Sequence, residues 1–173
     1  QYEFIKKGVK MNRNILAIVL FSMAVLASCS SQNQNKESEA NIELVDKFFA
    51  TVLTEPEKTK DLIHEDFKFE FMGISSLSGV IYNKDEYFDV WLGEVIPQVL
   101  PTGIELTIVG KIADEEGVVF QVEGEAEGIN GEYNNRYAMV FKIKDNKIIS
   151  FEEYTSDLLV ETRLYKKEIV DQK

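Results

Sequence analysis

The chain has 173 residues, with 30 acidic against 19 basic side chains, a net charge of −11, one histidine and one cysteine. A surface of that sign repels phosphate backbones and excludes nucleic acid as a partner, a lone cysteine excludes an internal disulfide, and one histidine without a Cys/His cluster excludes an ordinary zinc site. No Asp-x-Asp-x-Asp-Gly loop and no glycine-rich phosphate motif is present, so no metal, nucleotide or other cofactor is expected.

In chain order, Met11-Asn12-Arg13-Asn14 leads into the almost wholly apolar run Ile15 to Ala27, the layout of a basic n-region and an export h-region. As a helix this run covers about 20 Å, short of the ~30 Å hydrocarbon core of a bilayer. Leu26-Ala27-Ser28-Cys29 resembles the lipobox of bacterial lipoproteins. That resemblance implies cleavage before Cys29, a lipid on its thiol, and a place in the bacterial envelope outside the cytoplasm, with the outer membrane expected. Residues 1–10 then read as a start-site artefact, 11–28 as signal peptide, 29–39 as a lipidated Ser/Gln/Asn-rich tether, and 40–173 as one domain. Residues 1–28 hold four basic residues and one acidic residue, so the 145 residues that remain carry a net charge of −14.

Ile42, Val45, Phe48, Phe49, Val52 and Leu53 form a 3.6-period stripe that predicts a helix ending before Pro56. A short helical turn over 59–63 precedes a strand in which Phe67, Phe69 and Phe71 alternate with polar residues. Asn83 and Glu86 make a capping box for a second long helix bearing Phe88, Trp91, Leu92, Val95 and Ile96, closed by Pro97 and Pro101. Four strands follow, roughly 104–113, 118–128, 133–144 and 147–154, with two-residue turns expected at Asn130-Gly131 and Asp145-Asn146. Helices first and an antiparallel meander after predict an α+β fold, a curved sheet wrapped as a cone around the N-terminal helices and open at one end as a pocket.

The segment Gly131 to Asp157, GEYNNRYAMVFKIKDNKIISFEEYTSD, resembles the C-terminal half of SnoaL-like domains of the nuclear-transport-factor-two-like superfamily, and the element order from Asn41 onward is similar. The resemblance implies a pocketed cystatin-like cone. It does not transfer an activity, because that superfamily holds isomerases, cyclases, hydrolases and non-catalytic binders.

The two expected turns set the registers. Asn130-Gly131 places Phe120 opposite Phe141, Val122 opposite Met139, Gly124 under Tyr137, and Glu125 beside Arg136 on the other face. Asp145-Asn146 places Met139 opposite Glu152 and Tyr137 opposite Tyr154, pointing Glu152 and Tyr154 into the cone. On this reading Glu152 is the candidate general acid or base, with Tyr137 or Tyr154 polarising a substrate oxygen, or else a rim residue that only orders its strand. A slip of one residue would send Glu153 inward instead. Asp66, in His64-Glu65-Asp66, is a second candidate at the pocket mouth, or part of a solvated loop. Phe69, Phe71, Phe88, Trp91, Asn135, Tyr137 and Tyr154 are the candidate ligand-binding residues. The opposite face, with Val119, Ala138, Val140, Ile149 and Phe151, is apolar enough to suggest a homodimer. Three classes remain: a binder of a small apolar molecule, which is favoured, a cofactor-free isomerase or cyclase, and an envelope interaction module.

Overall fold

The structure is a computed structural model that describes residues 35–171. Helix α1 (residues 35–51) buries Val45 and Phe48, and Val52 in the turn that follows continues the stripe its periodicity requires. It is already helical at residue 35, the first described residue, and residues 29–34 of the expected tether lie outside the described residues. The signal peptide, Cys29 and residues 1–10 lie outside the described residues. Among the described residues no helix is long and apolar enough to cross a membrane.

Pro56 starts α2 (Pro56–Asp61), where a missing N–H costs nothing. Fully buried Thr59 ties α2 to α1 by donating to the Thr51 hydroxyl at 2.7 Å. Helix α3 runs as three contiguous segments, Lys84–Glu86, Tyr87–Val95 and Ile96–Val99. Its N-terminus has the expected capping box: Asn83 Oδ1 accepts from Glu86 N at 3.0 Å, and Glu86 Oε2 accepts from Asn83 N at 2.9 Å. The middle segment is wound as a π-helix, Ile96 N donating to Trp91 O, and the helix passes Pro97 to end at Val99 instead of stopping at the proline. Tyr87, Phe88 and Trp91 are all buried by this winding.

The strands are β1 (Ile63–Phe71), β2 (Ile81–Tyr82), β3 (Glu105–Ala113), β4 (Gly117–Glu125), β5 (Glu127–Gly128), β6 (Gly131–Glu132), β7 (Asn135–Lys144) and β8 (Lys147–Tyr154). Six of them form one curved sheet in the order β2-β1-β8-β7-β4-β3, and β5 with β6 forms a separate hairpin. All pairs in the large sheet are antiparallel except β1 with β8, where the first strand joins the last in parallel. The inner face carries Phe67 and Phe69 from β1, Phe120 and Val122 from β4, Met139 and Phe141 from β7, and Ile148 and Phe151 from β8, all buried. Phe48 of α1 meets Phe141 and Phe151 at ring distances of 5.6 and 5.9 Å, and Trp91 of α3 meets Phe69 at 4.8 Å. Each such side chain contributes roughly 1.5–3 kcal/mol by burial, which holds the helices against the sheet. After β8 the chain forms α4, with segments Asp157–Leu159 and Val160–Leu164.

Both expected registers shift, with opposite consequences. The first hairpin turns at Ile129-Asn130, because Gly128 pairs with Gly131, which holds φ +96° beyond the turn. Every pair therefore moves by two: Phe120 faces Met139, Val122 faces Tyr137, and Arg136 Nε binds Glu123 Oε1 at 3.1 Å in place of Glu125. A shift of two keeps each side chain on its face. The second turn is where the sequence places it, with Asp145 and Asn146 at φ 52° and 58°, and Ile143 pairs with Ile148 as expected. A bulge then leaves Ile149 without an opposite residue, and beyond it Phe141 pairs with Phe151, Met139 with Glu153 and Ala138 with Tyr154. This shift of one inverts the faces. Ile148 and Phe151 are both buried although an odd number of residues apart, which a regular strand forbids and a bulge permits.

Candidate functional site

Between the inner face of the sheet and the ends of α1 and α3 lies a cavity of about 90 Å³. One water needs ~10–15 Å³ on this scale, so the space suits several waters or one small ring system. Its walls are aromatic and aliphatic, with Phe48 from α1 and Leu53 from the turn after it, Tyr87 and Trp91 from α3, Phe71 from β1, Tyr137 and Met139 from β7, and Leu164 from α4. Among the described residues Glu153 is the one carboxylate in the lining, and Tyr133, Tyr137 and Tyr87 are the phenols.

Each polar group is held from behind. The Glu153 carbonyl accepts from Met72 N at 2.9 Å, which extends the β1–β8 ladder past Phe71 and fixes the backbone under the carboxylate. Tyr137 lies across Gly124, where a Cβ would stand 2.7 Å from the Tyr137 ring and 2.9 Å from Ile104. Tyr133 OH accepts from Asn135 Nδ2 at 3.1 Å, and Asn135 Oδ1 accepts from Arg136 N at 2.9 Å, so a buried amide sets the phenol.

One side of the cavity is closed by the loop 73–79, whose Leu77 lines it. Gly73 and Gly79 bracket this loop at φ +103° and +86°. Asp157 Oδ2 accepts from Ile74 N at 3.0 Å, and Glu161 accepts from Ser76 N while pairing with Lys167. The second carboxylate oxygen of Asp157 is buried without a hydrogen-bond partner among the described residues.

Burial pushes the Glu153 carboxyl up to about 8 from an ordinary value of 4.5, and among the described residues no cation or hydrogen bond offsets it. The side chain keeps partial accessibility, and the space it faces is the cavity. Burial also raises Tyr87, Tyr133 and Tyr137, with the Glu153 charge adding to each. At neutral pH the site thus presents a protonated carboxylic acid and neighbouring phenols inside aromatic walls, a set that can donate or accept one proton without help from solvent.

Phe71, Trp91 and Tyr137 line the cavity as the sequence predicts. Asn135 acts through Tyr133, Phe69 is fully buried in the core, and Phe88 faces a different groove, under Lys60 Nζ at 5.3 Å. Glu152 is not the inward acid: the bulge turns it to the outer face, where it accepts from Tyr154 OH at 2.9 Å. Tyr154, 42% exposed, leaves the pocket for the same reason. Asp66 is exposed at the other end of β1, beside His64, which also approaches Asp145 Oδ2 at 3.8 Å. The outer face correspondingly loses Phe151 and Glu153 and gains Glu152 and Tyr154. Sequence reasoning missed Tyr133 and Tyr87. Tyr87 sits one residue before Phe88 and enters the cavity through the π-winding.

No family model and no curated protein matches the chain. Solved structures do. An NTF2-like protein from Anabaena variabilis is 24% identical, with a TM-score of 0.56 over 69% of this chain and 91% of that one. A phenazine biosynthesis-related protein from Pseudomonas aeruginosa is 16% identical, with a TM-score of 0.65 over 82% and 95%. A SnoaL-like protein from Jannaschia sp. is 15% identical, with a TM-score of 0.60 over 76% and 95%. The fold is therefore that of the NTF2-like proteins, SnoaL-like members included.

Proposed function

We propose that the domain binds one small, largely apolar molecule in this cavity without turning it over, and that it is tethered outside the cytoplasm by a lipid on Cys29. The observation that carries the binding reading is the partly enclosed aromatic cavity with one carboxylate in its wall among the described residues. Native mass spectrometry of the full chain released gently from micelles tests it. A retained small molecule, or binding within a panel of lipids, sterols and aromatic metabolites, supports a binder. An empty protein that binds nothing in the panel sinks it and favours an envelope interaction module.

A second reading has its own observation. Glu153 sits beside Tyr137 with a carboxyl poised at about 8, which suits cofactor-free proton transfer of the isomerase or cyclase kind. Turnover abolished by Glu153→Gln with binding intact would establish it over the first. The outer sheet face retains Val109 and Ile112, 55% and 65% exposed, beside Val119, Val140 and Ile149, and a homodimer through this face is part of the proposal.

A further inference from the structure

We propose that the molecule this cavity takes is a small organic ammonium, its charged head against the Glu153 carboxylate and its apolar body against Trp91, Tyr87 and Phe71. The proposal rests on the binding reading and narrows it to a chemical class.

Among the described residues the lining contains no lysine, arginine or histidine. Three lysines on the surrounding elements are engaged elsewhere: Lys167 with Glu161 and Ser76, Lys111 with Asp46, and Lys84 with the carbonyls of Lys60 and Ile63. An anionic ligand would meet an acid and no cation there. An ammonium meets the opposite: a carboxylate lacking a counter-ion and the faces of several rings, the arrangement that attracts organic cations by ring quadrupole and charge together. Phe71 lies opposite Glu153 in the β1–β8 seam, and Trp91 leans on Phe71 at 5.5 Å, so the acid and the aromatic wall adjoin. The field of a chain with net charge −11 draws cations in the same direction.

Binding is then coupled to a proton. In the empty cavity below about pH 8 the Glu153 carboxyl holds its proton, and an arriving ammonium stabilises the ionised form, so one proton leaves to solvent. The titratable groups facing Glu153 from the elements packed around it are Tyr87 of α3, Tyr133 and Tyr137, all pushed upward. Phe48, Phe71 and Leu164 complete the surroundings and do not titrate.

The test is calorimetric titration of the full chain in lipid nanodiscs, with empty discs as control. Benzylamine is compared with its neutral near-isostere benzyl alcohol at pH 6.5 and 8.5, in buffers of different protonation enthalpy. The amine is expected to bind at least about tenfold tighter than the alcohol at pH 8.5, and to weaken roughly thirtyfold by pH 6.5 while releasing about one proton, with the alcohol unchanged. Glu153→Gln should abolish the preference and leave alcohol binding in place. The wild-type pH dependence is read independently of whether that variant folds. Alcohol binding with no amine preference, or a preference that survives in Glu153→Gln, overturns the ammonium and leaves the apolar binder standing. Failure of both probes to bind a folded protein overturns both.

Discussion

Replacing Glu153 by glutamine should flatten the dependence of stability on pH. The folded-state carboxyl titrates near 8 and its unfolded counterpart near 4.5, so between those values the folded protein holds more protons than the unfolded chain. Stability from this group is therefore fully present below about pH 4.5, declines as pH rises, and is lost once pH passes about 8. At about 1.4 kcal/mol per pH unit, the gap between 4.5 and 8 amounts to roughly 5 kcal/mol, an upper figure because water in the cavity softens the burial. The buried amide of the variant carries a cost of its own, but that cost does not change with pH. Urea denaturation of both proteins every half unit from pH 5 to 9 reads the difference directly. The curves should diverge steadily up to about pH 8, the variant gaining relative to wild type, and run parallel above it. Other carboxylates contribute equally to both proteins and cancel. Curves parallel throughout would show that Glu153 is ionised and solvated across the range, and the cavity chemistry argued from it would fall.

Gly124→Ala drives a methyl group into the Tyr137 ring and Ile104, so a loss of about 1–3 kcal/mol is expected, with weaker occupancy of the cavity, both visible in thermal melts with and without ligand. Asp157→Ala removes the carboxylate that accepts from Ile74 N, and amides 74–79 should exchange with deuterium faster while those of β4 and β7 keep their protection. Cys29→Ser, expressed as the full chain in a bacterial host, should eliminate fatty-acid labelling and move the protein from the membrane to the soluble fraction, whereas unchanged labelling would exclude the proposed anchor.

The architecture was legible because its signals are local and redundant. The 3.6-period stripe of α1, the capping box at Asn83, the alternation of Phe67, Phe69 and Phe71, and the Asp145-Asn146 turn each point to one element, and together they leave few topologies. The site was less legible because it depends on parity. Misplacing the first turn by one residue moved every pair by two and changed nothing about which residues face inward, so Tyr137 over Gly124 survived the error. Missing one bulge residue on β8 exchanged Glu152 for Glu153. The clue was present in the spacing: Ile148 and Phe151 are both large and apolar, and a regular strand would have had to expose one of them. Weighing the burial of Phe151 against that of Glu152 selects the bulged strand, since an inward Glu152 requires an outward phenylalanine.

The same balance bears on what the domain is for. The bulge lets Phe151 reach the core, but it also delivers Glu153 to an apolar wall where nothing neutralises it. A leucine or methionine at that position would fill the space and remove a cost of up to roughly 5 kcal/mol above pH 8. A domain that only offered its surface to partners would gain nothing from an acid in its interior, whereas a site that must recognise a polar or charged group on an otherwise apolar molecule needs one. The cost is confined to one residue, next to a cavity that a loop between two positive-φ glycines covers on one side, with two C-terminal carboxylates holding the loop in place. On the binding reading proposed above, local instability beside such a space suits a site that takes a ligand better than it suits an inert interaction module.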